Sequence, residues 1–170
     1  MIARSIEEHE RWMSEALELA KLAERADEVP VGAVVVRGDE IIGRGYNRPI
    51  SGHDPTAHAE IMAIREAASQ IGNYRLVDCQ MYVTLEPCTM CVGAIVHARI
   101  NLLVFGATEP KSGAVVSQNR LFEHAAFNHR VEYLGGVLAE TSANLISGFF
   151  ARRREEKKLS RGLKKQDPRI

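Results

Sequence analysis

Trp12, Ala16, Leu19, Ala20 and Ala23 recur at helical spacing between glutamates, which predicts an amphipathic helix over residues 5–26 with Trp12 in the core. Residues 31–36 form a short β-branched run. Gly38-Asp39 separates it from residues 41–46, the pattern of a tight hairpin. A helix is expected over residues 57–68, introduced by Pro55, and a Gly72-Asn73 break follows it. Further on come a strand at 81–85, a helix at 88–97 and a strand at 102–105 ended by Gly106. Residues 107–129 read as loop with a short helix near 117–122. A strand at 131–134 then precedes a helix at 139–158, whose inner face would use Leu138, Leu145, Ile146, Phe149 and Phe150. Strands alternating with helices predict an α/β domain in three layers, with helices covering the sheet.

No internal repeat or linker divides the chain, so residues 1–158 are expected to form one domain and residues 159–170 a basic, flexible C-terminal tail. Its 170 residues, 45% hydrophobic and 26% charged, exclude a disordered chain and a small disulfide scaffold. No apolar stretch approaches the roughly 20 residues of a membrane span, so no membrane partner is expected. The first ten residues are acidic and carry no apolar stretch, which implies no secretory signal and a cytoplasmic setting. Net charge is zero, yet residues 151–165 hold eight Lys/Arg against two glutamates. A basic end on an acidic body can grip a polyanion, or it can be a solvated helix end with cations near its dipole.

The chemistry concentrates in His58-Ala59-Glu60 and Pro87-Cys88-Thr89-Met90-Cys91. Zinc favours nitrogen and thiolate ligands, and a catalytic zinc keeps three protein ligands and an open position for water. His58, Cys88 and Cys91 supply three, and residues three apart on a helix share a face. Pro87 suits the first turn of that helix, where its missing N–H is not required. With helices starting near Pro55 and Pro87, both N-termini would face one cleft and stabilise thiolates. Glu60 lies two residues past His58, off its helical face. That argues for a carboxylate beside the bound water, the place of a general base, and bound zinc lowers the pKa of its water to about 7. A thioredoxin-like redox pair would leave His58-Ala59-Glu60 without a role. A structural zinc would need a fourth ligand, with Cys79 or His97 nearest in sequence. The pair Gly43-x-Gly45 has Arg48 where a dinucleotide fingerprint needs its third glycine.

His-x-Glu with Pro-Cys-x-x-Cys resembles the signature of the zinc nucleobase deaminases. The segments Glu28-Val29-Pro30-Val31-Gly32-Ala33, Gly45-Tyr46-Asn47-Arg48-Pro49, Asp54-Pro55-Thr56-Ala57, Val83-Thr84-Leu85-Glu86, Phe105-Gly106-Ala107, Asn128-His129-Arg130-Val131-Glu132 and Phe149-Phe150 extend the likeness. Together they resemble the bacterial tRNA-specific adenosine deaminases over nearly the whole chain. The resemblance implies a cytidine-deaminase-like α/β/α fold with a five-stranded mixed sheet, one zinc ion per chain, and a homodimer. It also implies hydrolysis of the wobble adenosine of a tRNA anticodon stem-loop to inosine and ammonia, with Glu60 as the proton carrier.

By position in that family, Asn47 would contact the extruded adenosine and Val29 would wall its pocket. Glu109, Lys111, Phe150, Arg153 and Arg154 fall where the family grips the anticodon loop. Two residues depart from the pattern: Glu109 stands where the family often has Asp, and Val92 where it has a small residue. Deamination of a free base such as guanine or cytosine needs the same zinc chemistry without the basic tail. An RNA-binding module with a structural zinc is the non-enzymatic alternative.

Overall fold

The computed structural model describes residues 4–166, with side chains through Arg161. Helix α1 (Ile6–Arg25) leads into strands β1 (Gly32–Arg37) and β2 (Glu40–Tyr46). Helix α2 (Ala59–Ile71), strand β3 (Cys79–Leu85), helix α3 (Thr89–His97) and strand β4 (Leu102–Ala107) follow. A single 3-10 turn (Leu121–Glu123), strand β5 (Glu132–Gly135) and helix α4 (Ala139–Gln166) complete the chain. The start of α1 is fixed by reciprocal bonds: the Glu8 amide donates to Ser5 Oγ, and the Ser5 amide donates to the Glu8 carboxylate.

The sheet runs β2-β1-β3-β4-β5 and is mixed, as the resemblance implied. β1 pairs antiparallel with β2 and β3, whereas β3 pairs parallel with β4, and β4 with β5. The parallel β3–β4 pair requires a crossover, which α3 supplies. Period-two alternation divides the core between the two faces. Val34, Val36, Tyr82 and Val104 point to one side with Trp12, Met13, Ala16 and Val137. Ala33, Val35, Met81, Val83, Leu103 and Phe105 point to the other with Ala63, Ala67, Val92 and Ile95. Helices α1 and α4 therefore cover one face, and α2 and α3 the other.

Gly43 and Gly45 now have a physical reason. Both lie in β2 under α2, where a Cβ would overlap the Ala63 and Ala59 carbonyls. Their absent side chains let α2 lie directly on the strand, which fixes the height of its N-terminus over the sheet.

Several expectations shift. α2 begins at Ala59 rather than 57, with His58 as its N-cap, and Cys88 likewise caps α3, so Pro87 lies before that helix and not in its first turn. The short helix of 117–122 shrinks to the 3-10 turn Leu121–Glu123. Helix α4 runs past residue 158 to Gln166. Residues 167–170 of the expected tail, and the side chains of Lys164 and Lys165, lie outside the described residues. Phe149 is buried, but Phe150 is 43% exposed and not part of the inner face. Among the described residues no helix is long and apolar enough to cross a membrane.

Candidate active site

Register alone brings the chemistry to one end of the sheet. Gly32 pairs with Tyr46, Ala33 with Val83, and Leu85 with Ala107. The segment entering β1 and the segments leaving β2, β3 and β4 therefore open on the same edge, as do the N-termini of α2 and α3. In an α/β sheet this edge, at the carboxyl ends of the parallel strands, is where ligands bind.

His58 and Cys88 occupy N-cap positions with extended backbone, and neither spends its side chain on capping. The caps are supplied differently at α2: Asn47 Oδ1, at the exit of β2, accepts the Ala59 N–H at 2.9 Å. The His58 ring is thereby left to turn toward the cysteines. Its Nδ1 lies 3.7 Å from Cys88 Sγ and 3.6 Å from Cys91 Sγ, and the three ligand atoms all lie within 4.8 Å of one another. One imidazole nitrogen and two sulfurs at this spacing suit a borderline-soft cation such as zinc. Among the described residues the cluster does not include Cys79 or His97. Cys79 is buried at the start of β3, its Sγ facing the Val77 carbonyl, and burial pushes its thiol up to about 11.

The electrostatics of the cluster are those of donors sharing protons. Hydrogen bonding from Cys91 holds Cys88 down to about 3, while the same bond and burial push Cys91 up. The Cys88 sulfur in turn raises His58 above the ordinary imidazole range. A divalent cation replaces such shared protons when it binds, and the two helix N-termini add positive potential. Glu60, in the first turn of α2, is only 4% exposed. Burial pushes its carboxyl up to about 7.

Residues 6–107 match the family described as the cytidine and deoxycytidylate deaminase zinc-binding region. The chain belongs to that zinc-dependent deaminase family. Among its curated relatives is a tRNA-specific adenosine deaminase of Haemophilus influenzae, 53% identical over 92% of this chain and 91% of the relative. A solved structure from a study of A-to-I editing by tRNA:A34 deaminases at the wobble position is 44% identical. It covers 79% of this chain and 98% of its own, with a TM-score of 0.78. A guanine deaminase structure from Bacillus subtilis is 36% identical with a TM-score of 0.56, over 86% of this chain and 94% of its own. The resemblance to the tRNA-specific branch and the cytidine-deaminase-like fold is thus borne out.

The other expected site residues lie on three separate segments of the chain. Val29, partly buried, packs on the core just before β1. Glu109 follows β4, its Oε1 accepting the Lys111 N–H at 2.9 Å, and Lys111 itself is exposed. Phe150, Arg153 and Arg154 lie on the exposed surface of α4. The Phe150 ring sits edge-on to Phe149 at 5.4 Å, and Arg153 pairs with Glu156 at 3.5 Å. On the same helix the Arg152 guanidinium covers Phe149 and reaches Asp27 at 3.1 Å, two residues before Val29.

Two buried carboxylates carry structure that the motif reading did not assign. Glu28 is fully buried beside Val29 and accepts the Ser51 N–H at 2.7 Å. Glu86, between β3 and Pro87, accepts the amides of Glu109, Val115, Val116 and Ser117 as well as the Ser117 hydroxyl. Burial alone would raise the Glu86 carboxyl, but those donors hold it below the usual range. Only Glu86 carried a partial signal, as a carboxylate directly after the apolar strand β3; Glu28 follows the polar run Glu24-Arg25-Ala26-Asp27 and carried none.

Proposed function

We propose that this chain is a zinc-dependent hydrolase that converts the wobble adenosine of a tRNA anticodon loop to inosine and releases ammonia. The observation that carries the reading is the cluster of His58, Cys88 and Cys91 with the buried Glu60 carboxyl beside it. The similarity to tRNA-specific adenosine deaminases over most of the chain supports the choice of base and of RNA.

His58, Cys88 and Cys91 would hold one zinc ion per chain. With three protein ligands, zinc supplies Lewis-acid activation of a water molecule. Glu60 accepts a proton from that water and passes it to N1 of the purine as the new C6–O bond forms. It then takes the hydroxyl proton of the adduct and delivers it to the amino group as the C6–N6 bond breaks. The water oxygen stays on C6, and ammonia leaves. Burial suits Glu60 to this work, because a carboxyl screened from bulk water exchanges its proton with substrate rather than solvent.

Such a base is out of reach in a stacked duplex, so the substrate is looped and its adenine extruded. Asn47, whose carbonyl oxygen is committed to Ala59, offers its amide N–H groups to the base, and Val29 walls the pocket. Glu109 and Lys111 on the loop after β4, and Phe150, Arg153 and Arg154 on α4, take the flanking nucleotides by stacking and by charge. The protein works as a cytoplasmic homodimer, a state that size-exclusion chromatography with light scattering reads directly.

The test uses zinc-loaded protein with an anticodon stem-loop bearing adenosine at the wobble position, and measures inosine by mass spectrometry. Glu60→Ala is the control for chemistry, and free adenosine and guanine are the controls for substrate. Inosine from wild type and RNA alone is the expected result. Deamination of guanine with no inosine, at one zinc per chain, overturns the choice of substrate and leaves a free-base deaminase.

A further inference from the structure

The Glu86 carboxylate is 3% exposed and sits between two parts of the site that are remote in sequence. Its own chain leads through Pro87 to Cys88, while all five of its donors belong to residues 109–117. Oε1 accepts three consecutive amides, Val115 at 3.1 Å, Val116 at 2.8 Å and Ser117 at 3.0 Å. Oε2 accepts the Glu109 amide at 2.9 Å and the Ser117 hydroxyl. Gly113 belongs to the same arrangement, because a Cβ there would overlap the carboxylate itself. Backbone bonds close the frame: the Glu86 amide donates to Ala107 O at 2.8 Å, and the Ala114 amide to Pro87 O at 2.9 Å.

A loop of this length outside regular structure needs internal partners for its amides, and an ionised carboxylate is a strong one. We infer that Glu86 is a positioning residue that sets the segment Glu109–Lys111 against the metal-ligand turn, and so fixes the grip on the RNA nucleotide beside the reacting base. The inference rests on the tRNA reading for the meaning of that segment. Glu86 has no part in the chemistry at C6. Its two oxygens divide the labour: Oε1 holds residues 115–117 and Oε2 holds the end that carries Glu109 and Lys111.

Glu86→Gln separates the two. The amide oxygen of glutamine can take the Oε1 position and keep three bonds. Its NH2 group then faces the Glu109 N–H, two donors with no acceptor, whereas the Ser117 hydroxyl can turn to accept. The segment 109–111 is released while the residues around Pro87 stay put. On the stem-loop substrate, Glu86→Gln is expected to raise KM about tenfold, with kcat within about twofold and zinc at one per chain. Lys111→Ala should then cost less in the Glu86→Gln background than alone, because the variant has already displaced it.

Hydrogen exchange provides a readout independent of activity: the Glu109 amide should exchange faster in Glu86→Gln than in wild type, and the amides of 115–117 should change less. If circular dichroism shows Glu86→Gln unfolded, Ser117→Ala takes its place, with a KM rise of about twofold to threefold from loss of one bond to Oε2. Unchanged KM and unchanged Glu109 exchange overturn the proposal, as does a fall in kcat or zinc content at constant KM. A wild-type protein inactive on the stem-loop overturns the tRNA reading instead, while the exchange experiment still decides the anchor.

Discussion

Asn47 and Ala59 are joined by a hydrogen bond of 2.9 Å from the Ala59 amide to Asn47 Oδ1, which ties the exit of β2 to the first turn of the helix that carries Glu60. The oxygen of this side chain caps α2 in place of His58, and in the proposed reading its NH2 group is the donor to the base. Asn47→Asp keeps the acceptor and removes the donor. Its denaturation midpoint should stay close to wild type while deamination falls by about a hundredfold, consistent with the loss of a hydrogen bond that a polar site requires. Asn47→Ala removes both, and chemical denaturation should show about 1 kcal/mol of lost stability in addition. An active Asn47→Asp would mean that the amide donor has no role with substrate.

The metal ligands should be separable from the proton carrier. His58→Ala, Cys88→Ser and Cys91→Ser are each expected to bring zinc, measured by plasma mass spectrometry, well below one per chain and to remove turnover. Glu60→Ala should retain one zinc per chain and lose turnover by at least about a thousandfold. Cys79→Ser, in contrast, should keep both zinc and turnover, since Cys79 lies outside the cluster. A full zinc complement in Cys91→Ser would remove Cys91 from the ligand set.

Much of this site was legible in the sequence. The α/β alternation was readable because each strand is a short apolar run and each helix carries its stripe, so β1, β3, β4 and the first three helices lie within a few residues of expectation. The grouping of His58 with Cys88 and Cys91, 30 and 33 residues further along, was readable because the three residue types complete a zinc donor set and the two short motifs together resemble a known signature. Phe150 was misplaced because helical periodicity treats a Phe-Phe pair as one apolar face, while only Phe149 packs under Arg152. The two helix starts were expected slightly early because Pro55 lies four residues and Pro87 two residues before the first helical residue. Glu86 escaped notice for a different reason. Its partners are 23 to 31 residues further along the chain, and nothing in a single sequence pairs a carboxylate with amides in a loop.

A titration is built into the far side of the sheet. His9 lies on the buried face of α1, with its Nδ1 3.0 Å from the Tyr82 hydroxyl. That hydroxyl donates to Gln80 Oε1 at 2.9 Å, the same oxygen that accepts from Arg4 Nε at 2.9 Å. Burial first, and then the Arg4 charge, push His9 below its ordinary value, against a smaller opposing pull from Glu8. The unfolded chain therefore takes up a proton near pH 6.5 that the folded chain refuses. Stability from this group is fully present above pH 6.5 and is lost as pH falls through the lower folded value. Denaturation of zinc-loaded protein between pH 7.5 and 5 should show His9→Phe losing less stability than wild type over the interval. A steeper loss in the variant would reverse the assigned sign.

The charge on α4 can be tested apart from the packing of that helix. Removal of residues 153–170 leaves Phe149 in the core and Arg152 on Asp27, so the fold around Val29 is retained. It deletes Arg153, Arg154 and the cations beyond them. If these hold RNA phosphates, the truncated chain should show KM for the stem-loop raised by at least about tenfold at moderate salt, with kcat at saturation nearly unchanged. The salt dependence is the sharper reading. Each lost phosphate contact flattens the slope of log affinity against log salt by about 0.7 for a single strand. Arg153→Ala with Arg154→Ala should therefore flatten it by about 1.4 without altering zinc content. A parallel drop in affinity at every salt concentration would assign the loss to packing, and an unchanged KM would make α4 a solvated helix whose cations serve its own C-terminal dipole.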